Sequence, residues 1–347
     1  MSVTALAPVT DSLLLTPTVA AHRGASGSRP EHTLDAYRTA IRMGADEIEL
    51  DLVVTADGVL VARHDAELST TTDVARHPEY AARHTTKVVD GTTMTGWFVE
   101  DFTIAELKRL AARERFPRLR PDNVHHDGAE GVPTFSEVLA MVGAESIRRG
   151  RGVGVLVELK HAVRFAQLGL PLVEPLLADL ARHGLDHAWS RVTLMSFETG
   201  VLRELAGRTR LPIVQLIGPG AGSPPDLSAD ETWSFDELVT PEGLARIDEY
   251  ADGIGPHKNR VLPRDAAGCI GAPSRIVRDA HRLGLTVHVW TLRAENRFLP
   301  TNLRIGSSPR AHGDLAGEVA AVLAAGVDTV ITDHPEVALH ARVPSAG

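Results

Sequence analysis

The chain of 347 residues has a single cysteine, Cys269. No intramolecular disulfide can form, nothing calls for an oxidising compartment, and the expected role of the thiol is that of a small buried hydrophobe. Aromatic residues make up 4% of the chain, which leaves little material for an exposed apolar rim. The absence of any apolar run of about 18 residues excludes an ordinary transmembrane helix. Basic residues are also in deficit, 36 Lys and Arg against 45 Asp and Glu, for a formal net charge of -9. A nucleic-acid-binding role is disfavoured, because the arginines are scattered among carboxylates and form no basic stripe; docking on anionic lipid fits poorly for the same reason. Residues 1–17 carry neither a basic n-region nor a continuous apolar core. No secretory signal is legible there, so a cytoplasmic location is expected, with a secreted or periplasmic one as the alternative if the N-terminus was trimmed.

What is present is a soluble globular composition, 43% hydrophobic and 23% charged. Short Val-, Ile- and Leu-rich runs alternate with longer amphipathic stretches, the pattern of βα units and a mostly parallel sheet. Strands are predicted at 18–21, 47–54, 59–63, 153–159, 191–197, 212–217, 253–255, 285–291 and 329–332. Helices are predicted at 33–43, 135–148, 171–183, 199–207, 241–250, 273–283, 315–325 and 336–341. Alternation over the whole length favours a closed (β/α)8 TIM-type barrel, although periodicity by itself leaves an open sheet possible. Nine strand candidates compete for eight barrel positions. Thr55-Ala56-Asp57-Gly58 reads as a turn that folds 59–64 back along 49–54 as a hairpin, bringing His64 near Asp51.

The expected organisation is an N-terminal extension over 1–17 and one barrel domain over 18–347, with an insertion at about 66–133. That insertion is polar, Thr-rich and loop-like, with one helix predicted over 104–115. Two further irregular stretches, 217–235 and 293–314, also follow strands, and all three are candidates to wall the site. No internal repeat, heptad pattern or low-complexity tract is present.

Charged side chains gather where the strand candidates end. His22 and Arg23 end the first, Glu49 and Asp51 interrupt the second, His64 and Asp65 end the third, and Glu158 and Lys160 end the fourth; Ser196, Gln215, His257, Trp290 and Asp333 lie at or near later ends. Side chains alternate along a strand, so Glu49 and Asp51 share a face, as do Glu158 and Lys160. Three carboxylates meeting in a barrel mouth stay ionised where a cation neutralises them, and an all-oxygen set suits Mg²⁺ or Ca²⁺ better than Zn²⁺. Glu47 shares the parity of Glu49 but begins the strand and is read as a surface or loop charge. His22 and His64 are the candidate proton-transfer pair for phosphodiester cleavage; with 16 histidines in the chain, most must be structural, among them His125 and His126 in the insertion and His183 and His281 on helices. Arg23 and Lys160 offer positive charge to phosphoryl oxygens.

His22-Arg23-Gly24, Pro30-Glu31-His32-Thr33, Glu49-Leu50-Asp51 and His64-Asp65 occur in an order and spacing that resembles the glycerophosphodiester phosphodiesterase family. The pattern continues through Glu158-Leu159-Lys160, Ser196-Phe197, Trp290-Thr291 and Thr332-Asp333-His334-Pro335, so the resemblance spans roughly residues 18 to 340. It implies that His22 and His64 are the acid/base pair and that Glu49, Asp51 and Glu158 hold one divalent cation. It further implies that Arg23 and Lys160 bind phosphate, that Glu31 lies near Arg23 and the metal, and that Trp290 packs on substrate or closes the mouth. The insertion after His64 resembles that of the bacterial periplasmic or secreted branch. His32 stands where many relatives carry Asn and is expected to cap the next helix less well. Ser69 stands where an Arg often occurs, and neither departure touches a position implied in metal binding or proton transfer.

The expected activity is metal-dependent hydrolysis of small-molecule glycerophosphodiesters to glycerol 3-phosphate and an alcohol, with attack by the neighbouring hydroxyl or by water both open. A phospholipase D-like cleavage of lysophospholipid or sphingomyelin is the alternative; it needs an apolar rim, for which Trp97-Phe98-Val99 is the candidate. A binding protein on the same barrel is disfavoured because no proton-transfer residue is missing. The sequence leaves the oligomeric state open.

Overall fold

Strand β1 (Thr18–His22) pairs in parallel with β2 (Glu47–Val54) on one side and with the last strand of the chain on the other, and this double pairing closes the sheet. The computed structural model describes residues 16–226 and 233–342. The predicted extension over 1–17 lies outside them except for Thr16 and Pro17.

After β2 come β3 (Leu60–Ala62), β4 (Thr85–Val89), β5 (Thr92–Gly96), β6 (Gly154–Leu159), β7 (Val192–Ser196), β8 (Ile213–Ile217), β9 (Gly253–Pro256), β10 (Thr286–Leu292) and β11 (Thr329–Thr332). Strands β1, β2 and β6 to β11 run parallel around the closed barrel in chain order, with helices on the outside, a (β/α)8 TIM-type fold. The ninth candidate is the predicted hairpin partner: β3 runs antiparallel to β2, with Leu52 opposite Ala62 and Val54 opposite Leu60. Thr55 Oγ1 donates to Asp57 Oδ1, and Gly58 takes a φ of 78° in the turn.

The two-residue period divides the core. Val19, Ala21, Ile48, Leu50, Leu52, Val155, Val157 and Leu159 face outward and are buried under the helices. Each Val, Leu or Ile side chain among them contributes about 1.5–3 kcal/mol on removal from water. Inside the barrel, Ala20, Leu156, Met195, Val214, Leu216 and Ile331 form a small apolar plug. Above the plug the inward positions of β1, β2 and β6 become polar. Helix Leu34–Met43 starts where Thr33 Oγ1 accepts from Ala36 N and stops at Gly44, whose φ is 110°. Helix Phe135–Arg149 opens with a Thr134/Glu137 capping box and stops at Gly150, φ 69°.

Several expectations need correction. The predicted helix over 104–115 covers only Ile104–Leu107; beyond it, bridges from Ala112 to Thr72 and from Ala111 to Gly131 draw the chain into extended pairing despite its helix-forming composition. The insertion also holds the β4–β5 hairpin, with positive φ at Asp90 and Gly91. Asp-Gly is a strong signal for a two-residue hairpin turn, and it is present in the sequence. Phe98 and Val99 are buried within the insertion, and Trp97 is half-buried with Nε1 donating to Tyr80 O, so this segment offers no apolar rim. Cys269 is half-buried in a loop and not in the core. Glu47 is neither a loop nor a surface charge: it is the first residue of β2, half-buried, with Thr18 Oγ1 donating to it, and it fills the space that a side chain at Gly154 would occupy.

Candidate active site

Adjacent strands carry the predicted residues. In the sheet register His22 lies beside Glu49, and Asp51 beside Glu158. One carboxylate oxygen from each of Glu49, Asp51 and Glu158 lies within 4.8 Å of the others, and all three residues are buried. Burial and the charge of Asp51 push Glu49 well above the usual carboxylate range. Burial pushes Glu158 up to about 8, with Asp51 adding to the rise against Lys160. Asp51 is held well below the usual range, its burial outweighed by Lys160 and Arg23. An all-oxygen cluster that resists ionisation beside one firmly ionised member fits a hard divalent cation.

The turn after β1 is built for close approach. Arg23 has a φ of 57° and Gly24 a φ of 85°, and a Cβ on Gly24 would sit 2.6 Å from the Ala36 carbonyl carbon. His32 (φ 57°) and His161 (φ 53°), next to Lys160, are also non-glycine residues in this sparsely populated region. Such residues cost about 1–3 kcal/mol each and cluster at functional sites. The Arg23 turn directs its backbone N–H to Glu49 Oε2 at 2.9 Å and its side chain to Glu31 Oε1 at 3.1 Å and Asp51 Oδ2 at 3.2 Å. Lys160 Nζ reaches Glu158 Oε1 at 2.7 Å and stands 3.7 Å from Asp51.

The two histidines are held alike. His22 Nδ1 is 2.6 Å from Asp333 Oδ1, and His64 Nδ1 is 2.6 Å from Asp65 Oδ1. Burial and Arg23 lower His22 to about 4 despite Asp333, while burial, Arg23 and Lys160 lower His64 to about 3. Both rings are therefore neutral at neutral pH, each donating from Nδ1 and leaving Nε2 as an acceptor. They share a cleft of 110 Å³ with Arg23, Glu49, Glu158 and Lys160, and it is bounded on the apolar side by Phe197 and Trp290. Trp290 is fixed there by Nε1 donating to Gly255 O at 2.6 Å and by edge contacts with Phe197 and His257.

An adjoining cleft of 200 Å³ brings in Arg115, Phe116 and Arg120 of the insertion, with Arg293 from the loop after β10. Arg115 donates to both oxygens of Glu31, at 2.7 and 2.8 Å, and pairs with Asp65 Oδ2 at 2.7 Å. Of the three irregular stretches expected to wall the site, 66–133 and 293–314 line these clefts. Among the described residues 217–235 lines neither, and its Phe235 packs behind Phe197. Gln215 and Ser196 are spent on structure: Gln215 Nε2 donates to backbone carbonyls, including Leu216 O, and Ser196 Oγ donates to Leu159 O.

Sequence reasoning missed His32. Helix Leu34–Met43 is capped by Thr33, and His32 instead places Nε2 2.9 Å from Asp51 Oδ2 and Nδ1 2.7 Å from the Tyr37 hydroxyl. It therefore touches the carboxylate cluster after all. Arg115, Phe116, Arg120 and Arg293 had no local signal, because loops deliver them from far along the chain. Asp65 and Asp333 had one, each directly following a strand-end motif.

The sequence profile of the Glycerophosphoryl diester phosphodiesterase family matches residues 22–337. A glycerophosphodiester phosphodiesterase of Arabidopsis thaliana is 34% identical over 291 residues, covering 80% of this chain and 75% of the relative. One from Bacillus subtilis is 32% identical over 281 residues, 79% of this chain and 76% of the relative. Among solved structures, an Oleispira antarctica phosphodiesterase in complex with the product sn-glycerol-3-phosphate matches at a TM-score of 0.59 and 19% identity, over 94% of this chain and 96% of that one. A glycerophosphodiester phosphodiesterase from Agrobacterium tumefaciens matches at 0.55 and 19%, over 94% and 100%. The structural likenesses bear on the fold; the sequence matches settle the family, and the chain belongs to the glycerophosphoryl diester phosphodiesterase family.

Proposed function

We propose that this chain hydrolyses glycerophosphodiesters to sn-glycerol 3-phosphate and an alcohol, with His22 and His64 as the proton-transfer pair. The observation that carries this reading is the pair of carboxylate-anchored imidazoles sharing one cleft with Glu49, Glu158, Arg23 and Lys160. Glu49, Asp51 and Glu158 would hold one Mg²⁺ or Ca²⁺, which supplies positive charge to the non-bridging phosphoryl oxygens.

Arg23 and Lys160 orient the phosphoryl group and oppose the charge that grows on its oxygens. Burial first, and then the nearby cationic charge, holds both imidazoles low; an anionic phosphodiester offsets the second of these, so one ring can carry a proton while the other accepts one. The accepting Nε2 takes the proton of the attacking oxygen, and the protonated ring gives its own to the leaving alcohol. Trp290 and Phe197 form an apolar wall against the organic part of the substrate and exclude bulk water on that side.

The small clefts and the burial of Phe98 and Val99 favour a compact glycerophosphodiester over an acylated lipid. The test is release of glycerol phosphate from glycerophosphocholine, set beside release of choline from lysophosphatidylcholine, in Mg²⁺, in Ca²⁺ and in EDTA. Metal-dependent turnover of the first substrate alone is expected. Preference for the lysolipid, or turnover indifferent to EDTA, would overturn the reading.

A further inference from the structure

Away from the carboxylate cluster, the segment between β10 and β11 folds back on itself. Glu295 and His312 face each other across an isolated antiparallel bridge, with Asn296 N donating to Ala311 O and Gly313 N to Ala294 O on either side. This arrangement brings both side chains beside His334, which follows the end of β11. One ligand atom from each of the three lies within 4.8 Å of the others.

Glu295 is fully buried and His334 is 4% exposed, yet Glu295 Oε2 and His334 Nε2 have no hydrogen-bond partner. They stand 3.7 Å apart, within reach of an ion pair but too far for a hydrogen bond, so the hydrogen-bonding capacity of both atoms is unused. A buried polar atom without a hydrogen bond is costly, and native structures keep few of them without a reason. The ring of His334 has little freedom to relax away, because it is seated against Gly27, where a Cβ would lie 2.4 Å from it. The other oxygen of Glu295 is already engaged by Arg120 Nε at 2.5 Å.

We propose that Glu295, His312 and His334 form a second metal site, for a divalent transition ion of the zinc class. Two imidazoles and one carboxylate are a nitrogen-rich set, unlike the all-oxygen cluster of Glu49, Asp51 and Glu158, and such sets favour zinc-like ions over Mg²⁺ or Ca²⁺. Ligand atoms about 2.0–2.1 Å from a tetrahedral ion lie roughly 3.3 Å from one another, close to the orphaned pair as it stands. His312 supplies the remaining closure from the exposed side. It borders a cleft of 480 Å³, which gives the ion an entry path and leaves room for a water as fourth ligand.

An ion here ties the loop after β10 to the end of β11. It also steadies a relay of contacts: Glu295 holds Arg120, Arg120 Nη2 holds Asp333 Oδ2 at 2.6 Å, and Asp333 holds His22.

The test is metal content. The full chain is stripped with chelator, incubated with excess Mg²⁺ and a slight excess of Zn²⁺, desalted, and analysed by mass spectrometry for zinc per chain. Wild type, Asp51→Asn, His312→Ala and His312→Gln are compared, with Co²⁺ as a visible-absorption probe of the same site. Wild type and Asp51→Asn are expected to retain one equivalent of zinc and to show the cobalt band. Both His312 variants, exposed substitutions whose circular dichroism and chelator-treated melting curves should match wild type, are expected to lose zinc and band together. A wild type that retains no zinc, His312 variants that retain it, or loss of zinc in Asp51→Asn alone would overturn the proposal.

Discussion

His22 Nδ1 lies 2.6 Å from Asp333 Oδ1, while the other oxygen of that carboxylate takes Arg120 Nη2 at 2.6 Å and Arg293 Nε at 2.8 Å. A single buried carboxylate thus sets the orientation of a ring on the first barrel strand and anchors guanidinium groups from the insertion and from the loop after β10. Ion pairs from both sides hold Asp333 well below the usual carboxylate range even though burial opposes this, so it remains an acceptor at neutral pH.

Asp333→Asn should turn the tautomer of His22. The two guanidinium groups claim the amide oxygen, the amide NH₂ then faces Nδ1, and the proton of His22 moves to Nε2, where it blocks the acceptor. We expect kcat to fall about 10²–10⁴-fold with little change in KM. A clear drop in melting temperature should accompany it, since leaving a buried cation short of its partner costs about 3–5 kcal/mol. Steady-state kinetics and calorimetry on one preparation check both.

Cation affinity at the carboxylate cluster should rise with pH. Glu158 has its folded pKa raised to about 8 from 4.5, so without metal its protonated form contributes stability at low pH that is lost as pH rises through that window. A cation binds the ionised form and must displace this proton below about 8. The gain in melting temperature on adding Mg²⁺ or Ca²⁺ is therefore expected to be small near pH 5.5, to increase toward pH 8 and then to level off. A gain independent of pH would show that Glu158 binds no metal.

His32 should act on the metal through Asp51. Burial keeps its ring neutral, so Nε2–H donates to Asp51 while Nδ1 accepts the Tyr37 hydroxyl proton. His32→Ala removes the group that orients a ligand carboxylate and should weaken cation affinity about 10–100-fold. His32→Asn keeps an amide donor and should recover part of the loss. Isothermal titration with Ca²⁺ distinguishes the two variants.

Arg115 should be irreplaceable by Lys. Its guanidinium engages both oxygens of Glu31 and also Asp65 Oδ2, which a single ammonium cannot do. Arg115→Lys is expected to lower kcat/KM about 10-fold or more, because Asp65 then loses the contact that steadies it behind His64. An unchanged kcat/KM would make the insertion a bystander to catalysis.

Much of this was legible because strand period and strand end coincide with chemistry. The alternation of Glu49 with Asp51 and of Glu158 with Lys160 places all four inward, and the Asp57-Gly58 turn returns His64 to their side. What remained hidden depends on tertiary pairing. Residues 108–115 have helix-forming composition, yet bridges to Thr72 and Gly131 extend them, and only then does Arg115 reach Glu31. His32 looked like a capping position because the left-handed backbone that turns its ring toward Asp51 has no sequence signature. Glu295 and His334 are 39 residues apart and meet only through the barrel's closing strands.

The central claim is that His22 and His64 move the protons of glycerophosphodiester hydrolysis. It is tested most directly by kcat/KM for glycerophosphocholine in wild type, His22→Ala and His64→Ala at saturating Mg²⁺ or Ca²⁺, with folding of each variant verified by melting curves. The account predicts a fall of about 10²–10⁴-fold in each variant. Either folded variant retaining activity within about threefold of wild type would contradict it, since a group that transfers a proton in the transition state contributes far more than that.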